Sequence, residues 1–203
     1  MKSAALRRAK KDDSETPTLV THYRDLKTDE PARNMKKGAI AGMVGGLIGT
    51  IVMTAFQNGW SKASQSLRGN SNQQLQRSEQ QNGQESEDAP MKAAGKLGEA
   101  LGLHLSHEQR KKLGPVVDYS FGTAQGALYG AVTELAGVRG GLLAGVSLGA
   151  ALFVFGDEIG TSALGLSGKP SDYPLSSHAY ALASHLVYGV TTEIARRGLR
   201  AAL

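Results

Sequence analysis

Cysteine is absent from all 203 residues, which excludes disulfides, zinc–thiolate sites and thiol catalysis together. No Walker loop, HExxH helix, GxSxG elbow or dinucleotide-binding glycine fingerprint is present. The 26 glycines recur with helical period and not at strand-to-helix turns, so phosphate binding has no support and a hydrolase or transferase is not expected. The N-terminus lacks an early apolar run, so no cleaved signal peptide is expected. Charge is missing from two long stretches. Residues 38–56 and 175–192 pass without Asp, Glu, Lys or Arg, close to the ~20 apolar residues that a bilayer-spanning helix needs.

What is present is segregated. A mean hydropathy of -0.25 would suggest a soluble protein, but residues 1–37 and 57–113 are polar while most of the rest is apolar or small. The length suits one domain. The net charge of +5 comes mainly from residues 1–37, where Lys and Arg outnumber Asp and Glu ten to six. Basic residues beside an apolar run set membrane orientation, a simpler reading than nucleic-acid binding.

Residues 1–34, broken by Thr16, Pro17, Asp29 and Pro31, are expected to form a disordered cytoplasmic arm. A domain over 35–203 follows, with helices at about 38–56, 116–138, 140–156 and 175–195 and a polar insert over 57–113. Lys36 and Lys37 precede the first helix, and Trp60 stands at its far interface. Residues 57–90, rich in Gln, Ser and Asn, read as a flexible loop. Met91 to Leu103 is amphipathic, lying on the bilayer or over the bundle. Ser106 and Gln109 form a capping-box pattern for a short helix ending near Gly114. Asp118, Gln125 and Glu134 interrupt the helix over 116–138. Asp157 and Glu158 end the helix over 140–156, and a Gly/Ser/Pro loop leads to the last helix, closed by Arg196, Arg197 and Arg200.

Glycine stripes run through these helices at i, i+4 and i+8: Gly38, Gly42 and Gly46; Gly122, Gly126 and Gly130; Gly141, Gly145 and Gly149. Gly45 and Gly49 widen the first. In water each would weaken a helix by roughly 1 kcal/mol; in lipid they let helices approach closely. Tyr129-Gly130-Ala131-Val132-Thr133-Glu134 matches Tyr188-Gly189-Val190-Thr191-Thr192-Glu193, and Gly38, Ala41, Gly42 and Gly46 align with Gly141, Ala144, Gly145 and Gly149. The expected fold is therefore all-α: an integral membrane bundle of four transmembrane helices, made of two repeated hairpins packed through Gly-x3-Gly stripes, with both termini cytoplasmic.

The run Gly141-Leu142-Leu143-Ala144-Gly145, then Gly165-Leu166, Tyr173-Pro174-Leu175, and His185-Leu186-Val187-Tyr188-Gly189 with Glu193, Arg196, Arg197, Leu199 and Arg200, resembles the YagU-like bacterial inner-membrane proteins. The resemblance covers the last three helices well and the first loosely. It implies an inner-membrane address and a role in acid stress, and no catalytic residues. It also implies a His where this chain has Asp118.

Two groups could carry chemistry. Asp118, Gln125 and Tyr129 fall on one helix face, and His178, His185 and Tyr188 on another; packed together they would form a polar seam, either hydrogen-bonding the bundle or carrying protons. Glu134 and Glu193 sit near Arg139 and near Arg196 and Arg197, where interfacial salt bridges account for them. Asp157, Glu158 and Asp172 could bind a divalent cation, although solvated carboxylates serve as well. Haem held by the two histidines lacks any attachment motif. No metal or cofactor is expected. The leading expectation is a non-enzymatic membrane scaffold, accessory subunit or acid-stress component, partnered by lipid and by further copies or a membrane complex, with no nucleic acid. The alternative is a small proton- or solute-conducting protein, and a weaker one a haem- or metal-binding protein.

Overall fold

Residues 34–68, 87–138 and 140–203 are described in a computed structural model of the chain. The expected arm, up to Arg33, lies outside them, as do residues 69–86 and Arg139. The described residues are helical throughout, without a strand.

Helix α1 is Met35–Arg68. It continues for twelve residues past Phe56 into the stretch expected to be a loop, which corrects that reading over 57–68. The polar residues there support a helix locally: the Ser64 and Ser66 hydroxyls donate to the carbonyls of Ser61 and Lys62, and Trp60 stacks at 6.0 Å on both Phe56 and Tyr180. Gly59, with nothing near it, costs only its propensity.

Helix α2, Ala89–Ala100, opens on Asp88, whose carboxylate accepts from Met91 N–H at 2.9 Å. Helix α3 is His107–Ala136. Its N-terminus is the Ser106–Gln109 capping box read from sequence, both halves of which form. The helix does not stop near Gly114, however. It runs on through Pro115, which removes one backbone hydrogen bond, to a left-handed Gly137. Helix α2 braces this start, packing antiparallel along it: Met91 lies against Gly114, Arg110 against Gly95 and Leu105 against Gly98.

Helix α4, Leu142–Ala151, passes directly into a π-helical segment, Leu152–Thr161. Asp157 and Glu158, expected to end the helix, lie inside this segment. Bonding from i to i+5 winds more residues into each turn, and Asp157, Glu158, Thr161 and Ser162 share one wall of a cavity. A 3-10 turn, Pro170–Asp172, precedes α5, Leu175–Ala202.

Glycines set the topology. A Cβ placed on Gly38, Gly42 or Gly46 would run into the α3 backbone at Gly130, Gly126 and Gly122 respectively, so α1 and α3 are antiparallel. Gly45 and Gly49 do the same for α5, meeting Thr192 with Arg196, and Thr192 with Tyr188. Gly145 meets Gly189, and Gly149 meets His185, so α4 is antiparallel to α5. The four long helices thus run up, down, up, down. Helices α1 and α5 occupy the middle, with α3 on α1 and α4 on α5. One end of the bundle gathers the start of α1, the end of α3, the start of α4 and the end of α5; it is called the basic end here, and the opposite one the π end.

One predicted stripe member fails. Gly141 has open space around it and a φ of 140°. It enters α4 from the preceding turn, a conformation that suits glycine, and packs against no helix. Gly140, at φ 66°, is also pinned sterically: a Cβ there would collide with the carboxylate of Glu193.

The distribution of side chains reverses that of a water-soluble bundle. Buried positions hold Ala41, Thr50, Thr133, Tyr188, Ser184, Thr192, Glu193 and Arg196. Large apolar residues face outward along α1 (Ile40, Leu47, Ile51), α3 (Phe121, Leu128, Val132) and α4 with its π segment (Leu143, Phe155, Ile159).

Candidate functional site

Polar chemistry collects at both ends of the bundle. At the basic end Glu193, 1% exposed, receives four hydrogen bonds. Its Oε1 accepts from Gly141 N–H at 2.9 Å and Arg196 Nη2 at 3.0 Å. Its Oε2 accepts from Tyr129 OH at 2.9 Å and Arg196 Nε at 2.8 Å. Every acceptor direction of an ionised carboxylate is used, and the guanidinium also lies 5.6 Å from the Tyr129 ring centre. The pair is therefore buried, where the sequence suggested an interfacial salt bridge. Beside it, Glu134 takes Arg200 Nε at 2.6 Å and the Asn34 N–H at 3.4 Å. Both glutamates close the repeated Tyr-Gly-x-x-Thr-Glu signature. Each binds an arginine and a backbone N–H at the start of a neighbouring helix, where the helix dipole favours an anion.

At the π end His178 bridges two acceptors. Its Nε2 is 3.0 Å from the carbonyl of Pro170, and its Nδ1 is 2.5 Å from Glu158 Oε1. A carbonyl only accepts, so Nε2 carries hydrogen; Nδ1 and the carboxylate then share one further proton. These groups border a cavity of about 180 Å³ whose walls include Asp157, Thr161, Ser167, Tyr173 and Ser177. His185 points its Nδ1 at the carbonyl of Ala181, 2.9 Å away, which leaves Nε2 as the ring's second site. Asp118 of α3 and Asp157 of the π segment both lie within electrostatic reach of this imidazole.

Of the sequence-predicted residues, Tyr129 and Glu193 meet across α3 and α5, Asp118 lies within electrostatic reach of His185 without a hydrogen bond to it, and Gln125 occupies the same α3 face between Asp118 and Tyr129. Two members turn elsewhere. Tyr188, 3% exposed, donates to the carbonyl of Gly122 at 2.6 Å, and His178 goes to Glu158. Among the described residues, no group of three or more His, Asp or Glu side chains is placed to hold a metal ion, and Asp172 accepts from Lys169 N–H. The pairing of Glu158 with His178 was missed. Its only sequence signal is the twenty-residue spacing across a short Gly/Ser/Pro connection, which folds the two helices back on each other.

The class these features define is an all-helical protein with two helices, Met35–Ser64 and Leu142–Thr161, long and apolar enough to cross a membrane. Comparison with protein-family models, with curated proteins and with solved structures returns no match.

Proposed function

We propose that this chain is a non-enzymatic integral membrane protein of four spans that serves as a scaffold or accessory subunit of a membrane assembly. One observation carries the reading: the interior is small and polar while the aliphatic residues face out. In water such a surface would drive aggregation; in lipid it is the favourable arrangement, and packing falls to small residues and hydrogen bonds. The two most apolar helices are only 33% and 11% buried over their spanning windows, whereas a core helix of a soluble protein would be mostly buried.

The reading includes duplication of a helical hairpin. Gly42 lies against Gly126 and Gly130 as Gly145 lies against Gly189, and Gly46 against Gly126 as Gly149 against His185. Glu134 and Glu193 have matching partners, an arginine and a helix-start N–H. Lys36, Lys37, Arg197 and Arg200 at the basic end support a cytoplasmic side for both termini, and the bacterial inner-membrane address comes from the YagU-like resemblance. The acid-stress role rests on the YagU-like resemblance alone. Membranes carrying the protein, washed in alkaline carbonate, test the central claim. The chain should stay with the pellet; release into the supernatant would overturn it.

A second reading has its own observation. Asp118, His185 and Asp157 stand together at the π end, with Gln125, Tyr129 and Glu193 continuing along the same side, as a proton-conducting seam would require. Proteoliposomes should then show a pH-dependent flux that the His185→Ala variant lacks. Absence of flux at every pH eliminates conduction and leaves the scaffold.

A further inference from the structure

Between the π segment and α5 the chain forms a strap, residues 164–174. Its tip is fastened internally: Gly168 N–H donates to Tyr173 OH at 3.0 Å, and Lys169 N–H to Asp172 Oδ2 at 2.9 Å. Ser162, just past the π segment, donates to the carbonyl of Gly168 at 2.7 Å. Among the described residues, one side chain joins strap, π segment and α5 at once. That is His178, on the first turn of α5, bonded to Pro170 of the strap and Glu158 of the π segment.

Both bonds can exist together only while one proton more than a neutral imidazole and a carboxylate supply is present. Without it, a ring protonated on Nε2 keeps Pro170 but aims a lone pair at a carboxylate oxygen. The other tautomer keeps Glu158 and aims a lone pair at a carbonyl. Either way one of the two contacts becomes repulsive. We propose that His178 and Glu158 form a proton-operated clamp that holds the strap against the cavity wall in acid and releases it as the proton leaves. The sign follows from linkage: the closed form binds a proton that the open form lacks, so falling pH favours closure. The other groups around the imidazole are Asp157 from the π segment, the backbone of Tyr173, and the charged Lys169 and Asp172 of the strap, where the Asp172 carboxylate accepts from the Lys169 backbone N–H. His185 lies two turns further along the same helix. The inference stands on these contacts whichever solvent surrounds the bundle.

The absence of cysteine makes the test direct. A spin label attached through a Ser171→Cys substitution reports strap mobility in the full-length protein in detergent or liposomes. From ~pH 5 to ~pH 9, a window that brackets imidazole titration, the label should pass from immobile to mobile in a one-proton transition. Two variants should depart in opposite directions. His178→Ala removes the bridge, and the strap should be mobile throughout. In Glu158→Gln the amide donates to a neutral Nδ1 while Nε2 still donates to Pro170, so the strap should stay immobile throughout. A label indifferent to pH in the parent protein overturns the proposal, as does equal mobility in the two variants.

Discussion

At the residue scale, the strongest claim concerns Glu193. Its carboxylate is enclosed with Arg196, whose side chain is 5% exposed, and each removes a charge the other would leave bare. Truncating one partner of such a pair costs about 3–5 kcal/mol, because the survivor stays buried without compensation. Glu193→Ala should therefore lower the thermal midpoint sharply, followed by circular dichroism in detergent. Glu134→Ala should cost less, since Arg200 at 19% exposure can turn to solvent. Equal losses for the two would mean that burial is not what distinguishes them. Sequence alone pointed to both glutamates, through the repeated signature, and set Glu134 beside Arg139 and Glu193 beside Arg196 and Arg197; in the structure Glu193 bonds Arg196 and Glu134 bonds Arg200. Their depth was not legible, because depth depends on Gly140 and Gly141 bringing the start of α4 over Glu193, a feature of backbone conformation that composition does not encode.

At the element scale, glycines divide into those under a neighbouring backbone and those in the open. A Cβ on Gly126 would lie 2.6 Å from the Cα of Gly46, so α1 and α3 would have to separate. Gly126→Ala should destabilise by about 1–3 kcal/mol, the usual cost of overpacking. Gly59, also helical, meets nothing, and Gly59→Ala should stabilise by up to about 1 kcal/mol through propensity. Opposite signs from the same substitution, one in α3 and one in α1, read from unfolding in denaturant, check the assignment; two losses would refute it. The stripes were legible because period four survives in the sequence as plain spacing. Helix ends were less so. Gln57 to Arg68 looked like loop because composition was weighed against burial, whereas a helix that starts in an apolar segment continues until something stops it, and no proline intervenes. The helix expected to end near Gly114 runs on through Pro115, because α2 supports the turn preceding it. The π segment has no sequence signature: Asp157 and Glu158 read as the end of an apolar helix, and the wider winding shows only once both line the same cavity.

At the scale of the whole molecule, the packing restricts how many spans are possible. Helix α1 is 34 residues long, about 51 Å at 1.5 Å per residue, longer than the ~30 Å hydrocarbon layer. Under the proposed membrane placement, its outward Ile40, Leu47 and Ile51 mark the part in lipid. Over that same part Gly38, Gly42 and Gly46 hold α3, and Gly45 and Gly49 hold α5. Helix α5 in turn holds α4 through Gly189 and His185. Helices α3 and α5, though less apolar than the other two, are thereby committed to the same depth. On the proposed reading an immersed α1 brings four spans with it, and the start of α1 and the end of α5 then fall on one side. The cysteine-free chain allows this to be read one position at a time. Lys36→Cys and Arg197→Cys place a thiol at the basic end, and Ala63→Cys, Lys112→Cys and Ser171→Cys at the π end. All five positions are exposed. In sealed vesicles of one orientation, an impermeant maleimide should label one group completely and spare the other, and inverting the vesicles should exchange them. Labelling that splits Lys36 from Arg197 would require an odd number of crossings, which the glycine contacts between α1 and α5 cannot accommodate.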